Sequence, residues 1–453
     1  MPSFYLKTYG CQMNERDSEA LACLLEQHGM TPATSEEDAD VIILNTCSVR
    51  DQAERKAIGK AGLLKRLKAA RPELVIGIIG CMAQNRGEDL LAELPHLDFV
   101  AGTDRLAIVP DLIEQALAGR RRQADLARDA GPTPPEANGH QPGSISAMIS
   151  VMRGCDQFCS YCIVPHTRGR EHSRPIPEIV AEATRLADAG TREILLLGQN
   201  ITAYGLAEIR RQDQPQPQPS SDRSPFADLL EALNDVPGLA RIRFTSPHVG
   251  FMNDRFVDAV CRLPKVCKAF HVPLQSGSDR VLAMMRRSYT AAEYRDRIAA
   301  IRSRLPEVAF STDIIVGFPT ETDEDFRRTR ELMAEVAFDM AYIFRYSPRS
   351  GTKAAKDYPD DVPDEVKHQR NQILLDDLAA GSARRNERFR GRVLDVLVEG
   401  VSKRNAERWT GRTDLNKVCN FVPVPGIKPG DLVKVTITRT TANSLFGEAV
   451  MGS

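Results

Sequence analysis

From residue 1 to about 118, short apolar runs alternate with amphipathic stretches. FYLKTYG precedes a helical pattern over 17–27, VIILNTC precedes one over 50–67, and LVIGIIGC precedes a third. Strands alternating with helices predict a parallel, doubly wound sheet. Residues 119–146 break the pattern: GRRRQADLARDAGPTPPEANGHQPGS is charged, rich in Pro and Gly and aperiodic, and predicts an interdomain linker.

The alternation returns over 147–383. SAMISVMRG, REILLLGQN, RIRFTS, AFHVPLQ, VAFSTDIIVGF and MAYIFRYS read as strands, with helical patterns over 176–189, 226–233, 253–262 and 322–336 between them. Six such β/α units predict a partial, TIM-like α/β barrel, whose site residues gather at the C-terminal strand ends. The insert RRQDQPQPQPSSDRSP (210–225) has low complexity and reads as a surface loop. From 384 to 453 the runs become short and β-rich, which suits a small OB-like barrel. The fold class expected is thus α/β with a small β-barrel appended, in three domains: 1–118, 147–383 and 384–453.

Composition changes this picture little. The chain of 453 residues carries a formal net charge of −1, so global charge neither requires nor excludes a nucleic-acid partner. The C-terminal segment differs, with 13 Lys+Arg against 7 Asp+Glu from 384 onward. A basic small barrel on an enzyme fits RNA binding, and a capping or dimerisation module is the plainer alternative. No apolar run reaches the ~18 residues of a membrane span. The start, MPSFYLKTYG, lacks a signal-peptide pattern, so a cytoplasmic location with reduced thiols is expected.

Reduced, grouped cysteines point to metal or redox chemistry. Of ten cysteines, Cys155, Cys159 and Cys162 are spaced C-x3-C-x2-C, and Cys11, Cys47 and Cys81 each directly follow an apolar strand. Three thiolates can hold three irons of a 4Fe–4S cube and leave the fourth open for chemistry. Parallel strand ends share one edge, which would gather the first triad in space. Zinc competes for either triad, and buried packing thiols are the alternative for the first. Cys23, Cys261, Cys267 and Cys419 show no comparable placement and read as packing residues. Polar residues at predicted strand ends are candidates for cofactor binding: Gln199 and Asn200; Ser246, with His248; Gln275, with Ser276 and Gly277; and Gly317, where backbone could approach a ligand closely. Arg286 and Arg287 read as a solvated helix face, with phosphate or carboxylate binding as the alternative.

RGCDQFCSYCIVPHTRGRE, KTYGCQMN, LNTCSVR and GCMAQ, with WTGRT and SLFGEAV near the end, resemble the radical SAM methylthiotransferase family over nearly the whole chain. The resemblance implies an N-terminal cluster-binding domain, a radical SAM core and a TRAM domain. It implies two 4Fe–4S clusters, one on Cys11, Cys47 and Cys81 and one on Cys155, Cys159 and Cys162, with S-adenosyl-L-methionine (SAM) as radical source and methyl donor. LLGQN, RFTSPH, HVPLQSGSDR and STDIIVGFPTET resemble the branch acting on tRNA. That branch methylthiolates carbon 2 of N6-isopentenyladenosine at position 37. Threonylcarbamoyl-adenosine or a ribosomal-protein aspartate is the rival substrate, and a metal-stabilised RNA binder without catalysis the rival of another class. Implied partners are the tRNA anticodon arm, gripped by cations such as Arg404, Arg408, Arg412, Lys417, Lys434 and Arg439, and an electron donor such as flavodoxin or ferredoxin. TSPHVGF, GFPTET and Cys419 depart from the family pattern without removing a presumed ligand.

Overall fold

The computed structural model describes residues 1–49, 51–120, 122–128, 139–141, 143–212 and 223–450. Most of the 210–225 insert and the middle of the 119–146 stretch lie outside the described residues.

Strands Val41–Thr46 and Val75–Gly80 are buried at every position, as central parallel strands covered on both faces must be. They lie within a six-stranded parallel sheet ordered Thr31–Pro32, Ser3–Tyr9, Val41–Thr46, Val75–Gly80, Phe99–Ala101, Gln123–Asp125. Phe4 and Ile43 pack with Leu21, Leu25 and Ile113 on one face, whereas Ile42 and Leu44 pack with Ala61, Leu64 and Leu90 on the other. Helices therefore cover both faces. The last strand, Gln123–Asp125, falls inside the stretch read as linker. It is a short, polar edge strand with no apolar alternation to reveal it.

The central region contributes strands Ser146–Ser150, Glu193–Leu197 and Arg241–Phe244 to one parallel sheet, and Ala269–His271, Ala309–Val316 and Met340–Arg345 to another. One apolar core runs through both, from Ile149 to Phe310 and Leu374. Phe244 and Phe270 stack at 5.5 Å between centroids and bridge the gap between the sheets. Together they form an open six-stranded arc; among the described residues no pairing joins its last strand to its first. Five of its helices open on Ser224, Asn253, Ser278, Thr290 and Thr322, each accepting from the backbone N–H three residues on. Such caps fix where each helix begins after its strand.

Helix Asp364–Glu387 leads to a closed five-stranded barrel of Val393–Val401, Trp409–Thr413, Val418–Val422, Ser444–Ala449 and Leu432–Thr440. Its core is Phe389, Val396, Phe421, Ile437 and Leu445, with Cys419 among them as a packing residue.

The arc is docked differently at its two ends. At the N-terminal strand ends, Arg241 Nη2 donates to Asp395 O at 2.9 Å and Arg243 Nη2 to Thr413 O at 2.8 Å. Lys417 Nζ meets Asp339 Oδ1 at 2.9 Å there too. The small barrel is seated at that end. At the C-terminal strand ends, Arg153 Nη2 donates to Asp104 Oδ1 at 2.8 Å, Thr103 Oγ1 to Thr167 O at 2.6 Å, and Arg349 Nη2 to Val49 O at 3.3 Å. Val49, Thr103, Asp104 and Arg349 come shortly after strands of the two sheets, and Arg153 and Thr167 belong to the segment that follows Ser146–Ser150. The C-terminal edges of the two α/β units therefore face each other, away from the small barrel.

Candidate active site

The N-terminal triad is built on three adjacent strand ends. Cys11 caps helix Gln12–Gln27, Cys47 follows Val41–Thr46, and Cys81 begins helix Cys81–Arg86 after Val75–Gly80. Buried side chains stitch these ends together. Asn14 Nδ2 donates to Asn45 Oδ1 at 3.0 Å and Thr46 O at 3.2 Å, Asn45 Nδ2 donates back to Asn14 O at 2.9 Å, and Thr46 Oγ1 donates to Ile79 O at 2.7 Å. Gly80, at φ 92°, passes so close that a Cβ there would lie 2.4 Å from Asn45 Oδ1. The polar lattice thus holds the turn bearing Cys11 against the turns bearing Cys47 and Cys81.

The thiols differ in character. A hydrogen bond from Cys47 pulls the Cys11 thiol down to about 6, and the same bond, with burial, pushes Cys47 up. Burial also raises Cys81, opposed by Arg168. Arg168 is 5% exposed; its Nη2 donates to Asp17 Oδ2 at 2.8 Å. Its Nη1 has no hydrogen-bond partner among the described residues. Burial disfavours its charge, but Asp17 and the Cys81 and Cys11 thiols raise its pKa well above the ordinary guanidinium range.

The second triad sits on loop 154–170, clipped at its ends by the ribbon Met152–Arg153 with His172–Ser173. Cys155 N donates to Gly169 O at 3.2 Å. Gly154, at φ 74°, leaves room for Arg170 O, which a Cβ would meet at 2.0 Å. Ser160 N and Oγ donate to Met285 O at 3.0 Å and Met284 O at 2.8 Å, pinning the loop to the segment before Arg287. Arg287 Nη1 then reaches Cys159 Sγ at 3.4 Å, while its ring partner Tyr289 lies 4.9 Å below the guanidinium. Burial pushes both Cys155 and Cys162 up to about 12.

The other predicted site residues divide. Gln199 Oε1 and Asn200 Nδ2 are buried without a hydrogen-bond partner. His248 Nδ1 accepts from Gly250 N at 3.2 Å, and its Nε2 is likewise unpartnered. Burial, then Arg287, hold this imidazole neutral, well below its ordinary pKa, so the proton resides on Nε2. Ser246 and Gln275 take φ values of 59° and 73°, left-handed conformations that non-glycine residues adopt at a cost and that concentrate at functional sites. Ser276 and Gly277 instead bind the scaffold through Thr329 Oγ1, at 3.3 and 2.9 Å. Gly317 is also accounted for internally: a Cβ there would strike Lys367 Cγ at 2.3 Å, and its N–H donates to Glu321 Oε2 at 2.7 Å. The space on its side-chain face is thus occupied by Lys367.

Arg168, within the HTRGRE run, has no signal in the sequence to single it out, and Arg287 is enclosed rather than on the solvated helix face expected of it. Each is enclosed beside a triad.

The residues present fit the groups the resemblance implies. Each triad offers three thiols and one buried cation to offset anionic charge, and the orphaned amide and imidazole atoms beside the second triad await polar ligand atoms. Among the described residues no group of three or more His, Cys, Asp or Glu side chains is gathered closely enough to hold a single metal ion.

Residues 3–102 match the family described as uncharacterized protein family UPF0004, 149–333 the radical SAM superfamily, and 387–450 the TRAM domain. A tRNA-2-methylthio-N(6)-dimethylallyladenosine synthase of Opitutus terrae is 45% identical over 481 residues, covering 100% of this chain and 98% of that protein. One of Akkermansia muciniphila is 44% identical, covering 99% of this chain and 98% of that one. Among solved structures, the radical S-adenosylmethionine methyltransferase TsrM of Kitasatospora setae, with cobalamin and a [4Fe-4S] cluster bound, matches with a TM-score of 0.55 at 14% identity, over 78% of this chain and 77% of that one. That likeness concerns the fold. On full-length identity and the order of its three regions, the chain belongs to the family of tRNA-2-methylthio-N(6)-dimethylallyladenosine synthases, radical SAM proteins with a TRAM domain.

Proposed function

We propose that this protein methylthiolates carbon 2 of N6-isopentenyladenosine at position 37 of tRNA. The observation that carries the reading is the apposition of two strand-end edges, each bearing a thiol triad, with one loop (154–170) holding the second triad and reaching the first through Arg168.

In this reading Cys11, Cys47 and Cys81 hold one 4Fe–4S cluster, and Cys155, Cys159 and Cys162 hold the other. Carbon 2 of adenine bears a C–H bond that is neither acidic nor attached to a leaving group, and SAM on a reduced iron–sulfur cluster supplies the radical chemistry such a bond requires. The chain's own groups orient the reactants. Gln199 Oε1 accepts, and Asn200 Nδ2 and His248 Nε2–H donate, toward the polar atoms of SAM, with Ser246 and Gln275 shaping the same rim. Arg287 fixes a positive charge at Cys159. The Asn14–Asn45–Thr46 lattice keeps the first triad aligned opposite.

A loop nucleotide is already partly unstacked and can reach the apposed strand ends at small cost. The small barrel grips the anticodon arm by phosphate contacts. Because it is seated at the far strand ends, the RNA must span the arc, about 20 Å for six residues at 3.3 Å each. Lys417 is engaged with Asp339 and is excluded from that grip, whereas Arg404 and Arg439 are exposed. An electron donor of the flavodoxin or ferredoxin kind approaches by the cleft lined by Phe158, Cys162, His166, Arg286, Lys353 and Lys356. No helix among the described residues is long and apolar enough to cross a membrane, and a tRNA substrate supports a cytoplasmic location.

The test is anaerobic reconstitution followed by turnover with isopentenylated tRNA and labelled SAM. About eight irons per chain, four for each cube, and a methylthio nucleoside at position 37 are expected. Bound zinc without SAM turnover would mark a metal-stabilised RNA binder instead.

A further inference from the structure

Arg168 belongs by sequence to the loop of the second triad but by contact to the first. It caps the C-terminus of helix Val164–Thr167, which begins two residues after Cys162, yet its guanidinium lies against Cys81 and within electrostatic reach of Cys11. One side of the guanidinium is committed to Asp17, on the helix capped by Cys11, at 2.8 Å. The other side is turned to the Cys81 thiol, its interaction partner in the first triad, and the enclosed Nη1 has no N or O acceptor among the described residues. A buried cationic N–H left open is costly unless an anion completes it. Three thiolates around a cubane leave net negative charge on the first triad, and any anionic sulfur it holds adds more.

We infer that Arg168 is the positioning residue of the first triad, a fixed cation that offsets the charge of the group held by Cys11, Cys47 and Cys81 and sets its reduction potential. The inference rests on the cluster assignment above. It also ties the two sites, because movement of loop 154–170 would carry this charge toward or away from the first triad. Asp17 holds the guanidinium in place and takes no part beyond that.

The test is a redox titration of the full-length chain followed by electron paramagnetic resonance, in a Cys155→Ala, Cys159→Ala, Cys162→Ala background that isolates the first cluster. Arg168→Gln should shift the reduction equilibrium at least tenfold toward the oxidised form, about 59 mV for one electron, and Arg168→Lys should restore most of it. Asp17→Asn removes the same interdomain ion pair but keeps the cation, so it should leave the potential where it was or raise it. In the chain with all cysteines, Arg168→Gln should still cleave SAM, which reports an intact fold. Loss of iron in folded Arg168→Gln with retention in Arg168→Lys also supports the role. An unchanged potential in Arg168→Gln overturns it, as does a shift reproduced by Asp17→Asn, or loss of SAM cleavage in both variants, which would make the pair a structural clasp. If the parent background binds no iron, the cluster assignment fails instead.

Discussion

Arg287 Nη1 donates to Cys159 Sγ at 3.4 Å, so the second triad has its own enclosed guanidinium, as Arg168 serves the first. The segment carrying Arg287 is held there by Ser160 through Met284 O and Met285 O. A hydrogen bond from a charged donor is worth about 1.5–3 kcal/mol, roughly tenfold to a hundredfold in an equilibrium at 1.4 kcal/mol per decade. Arg287→Met should therefore retain iron but slow SAM cleavage about tenfold or more at fixed reductant, with partial recovery in Arg287→Lys. Methionine release under anaerobic conditions measures this.

Asp339 joins the arc to the small barrel. Its carboxylate meets Lys417 at 2.9 Å and Arg385 at 3.0 Å and accepts from Phe310 N at 3.0 Å. Burial alone would raise its pKa, but Lys417 and Arg385 hold it below the ordinary 3.8. A depressed carboxylate contributes stability that is present above its unfolded value and lost as pH falls through the folded one. Asp339→Ala leaves buried cations unpaired and should cost about 3 kcal/mol or more, read as a lower first thermal transition at neutral pH. That difference should shrink under acid.

His140 clasps the N-terminal unit to the arc, with Nε2 at 2.6 Å from Glu182 Oε1 and Nδ1 at 3.5 Å from Glu19 Oε2. Burial and Arg16 lower its pKa, yet the hydrogen bonds to Glu182 and Glu19 raise it above the ordinary 6.5. A raised histidine stabilises fully below its unfolded pKa and loses that contribution as pH climbs through the folded value. Thermal melts should thus weaken above about pH 6.5, and His140→Gln should remove that part of the pH dependence.

Much of this was legible in the sequence. Apolar runs ending in Cys11, Cys47 and Cys81 located the first triad, because strand alternation and the shared edge of a parallel sheet are local rules. The helices over 176–189 and 253–262 were found within a residue or two of Ile176–Asp188 and Asp254–Arg262 for the same reason. Arg168 and Arg287 were not legible, since their environment comes from elements remote in sequence: Asp17 lies 151 residues from Arg168 and Cys159 128 from Arg287. Periodicity says nothing about such meetings. Lys417 misled because charge counts do not separate a solvated cation from one committed to Asp339.

RNA binding by the small barrel should be electrostatic. Arg404 is exposed, and Arg439 lies 3.8 Å over the Phe446 ring. Each phosphate contact removed should lower the slope of log affinity against log salt by about one. Arg404→Ala with Arg439→Ala should raise KM for tRNA while sparing kcat, because both lie far from the strand ends that bear the triads. Filter binding across a salt series, beside steady-state kinetics, measures both.

The most direct measurement of the central claim, two triads with separate duties, compares Cys81→Ala and Cys159→Ala in anaerobic turnover with isopentenylated tRNA. Cys81→Ala should lose about four irons, keep cleaving SAM and form no methylthio nucleoside, whereas Cys159→Ala should lose SAM cleavage and product together. Product formed by Cys81→Ala, or SAM cleavage retained by Cys159→Ala, would contradict it.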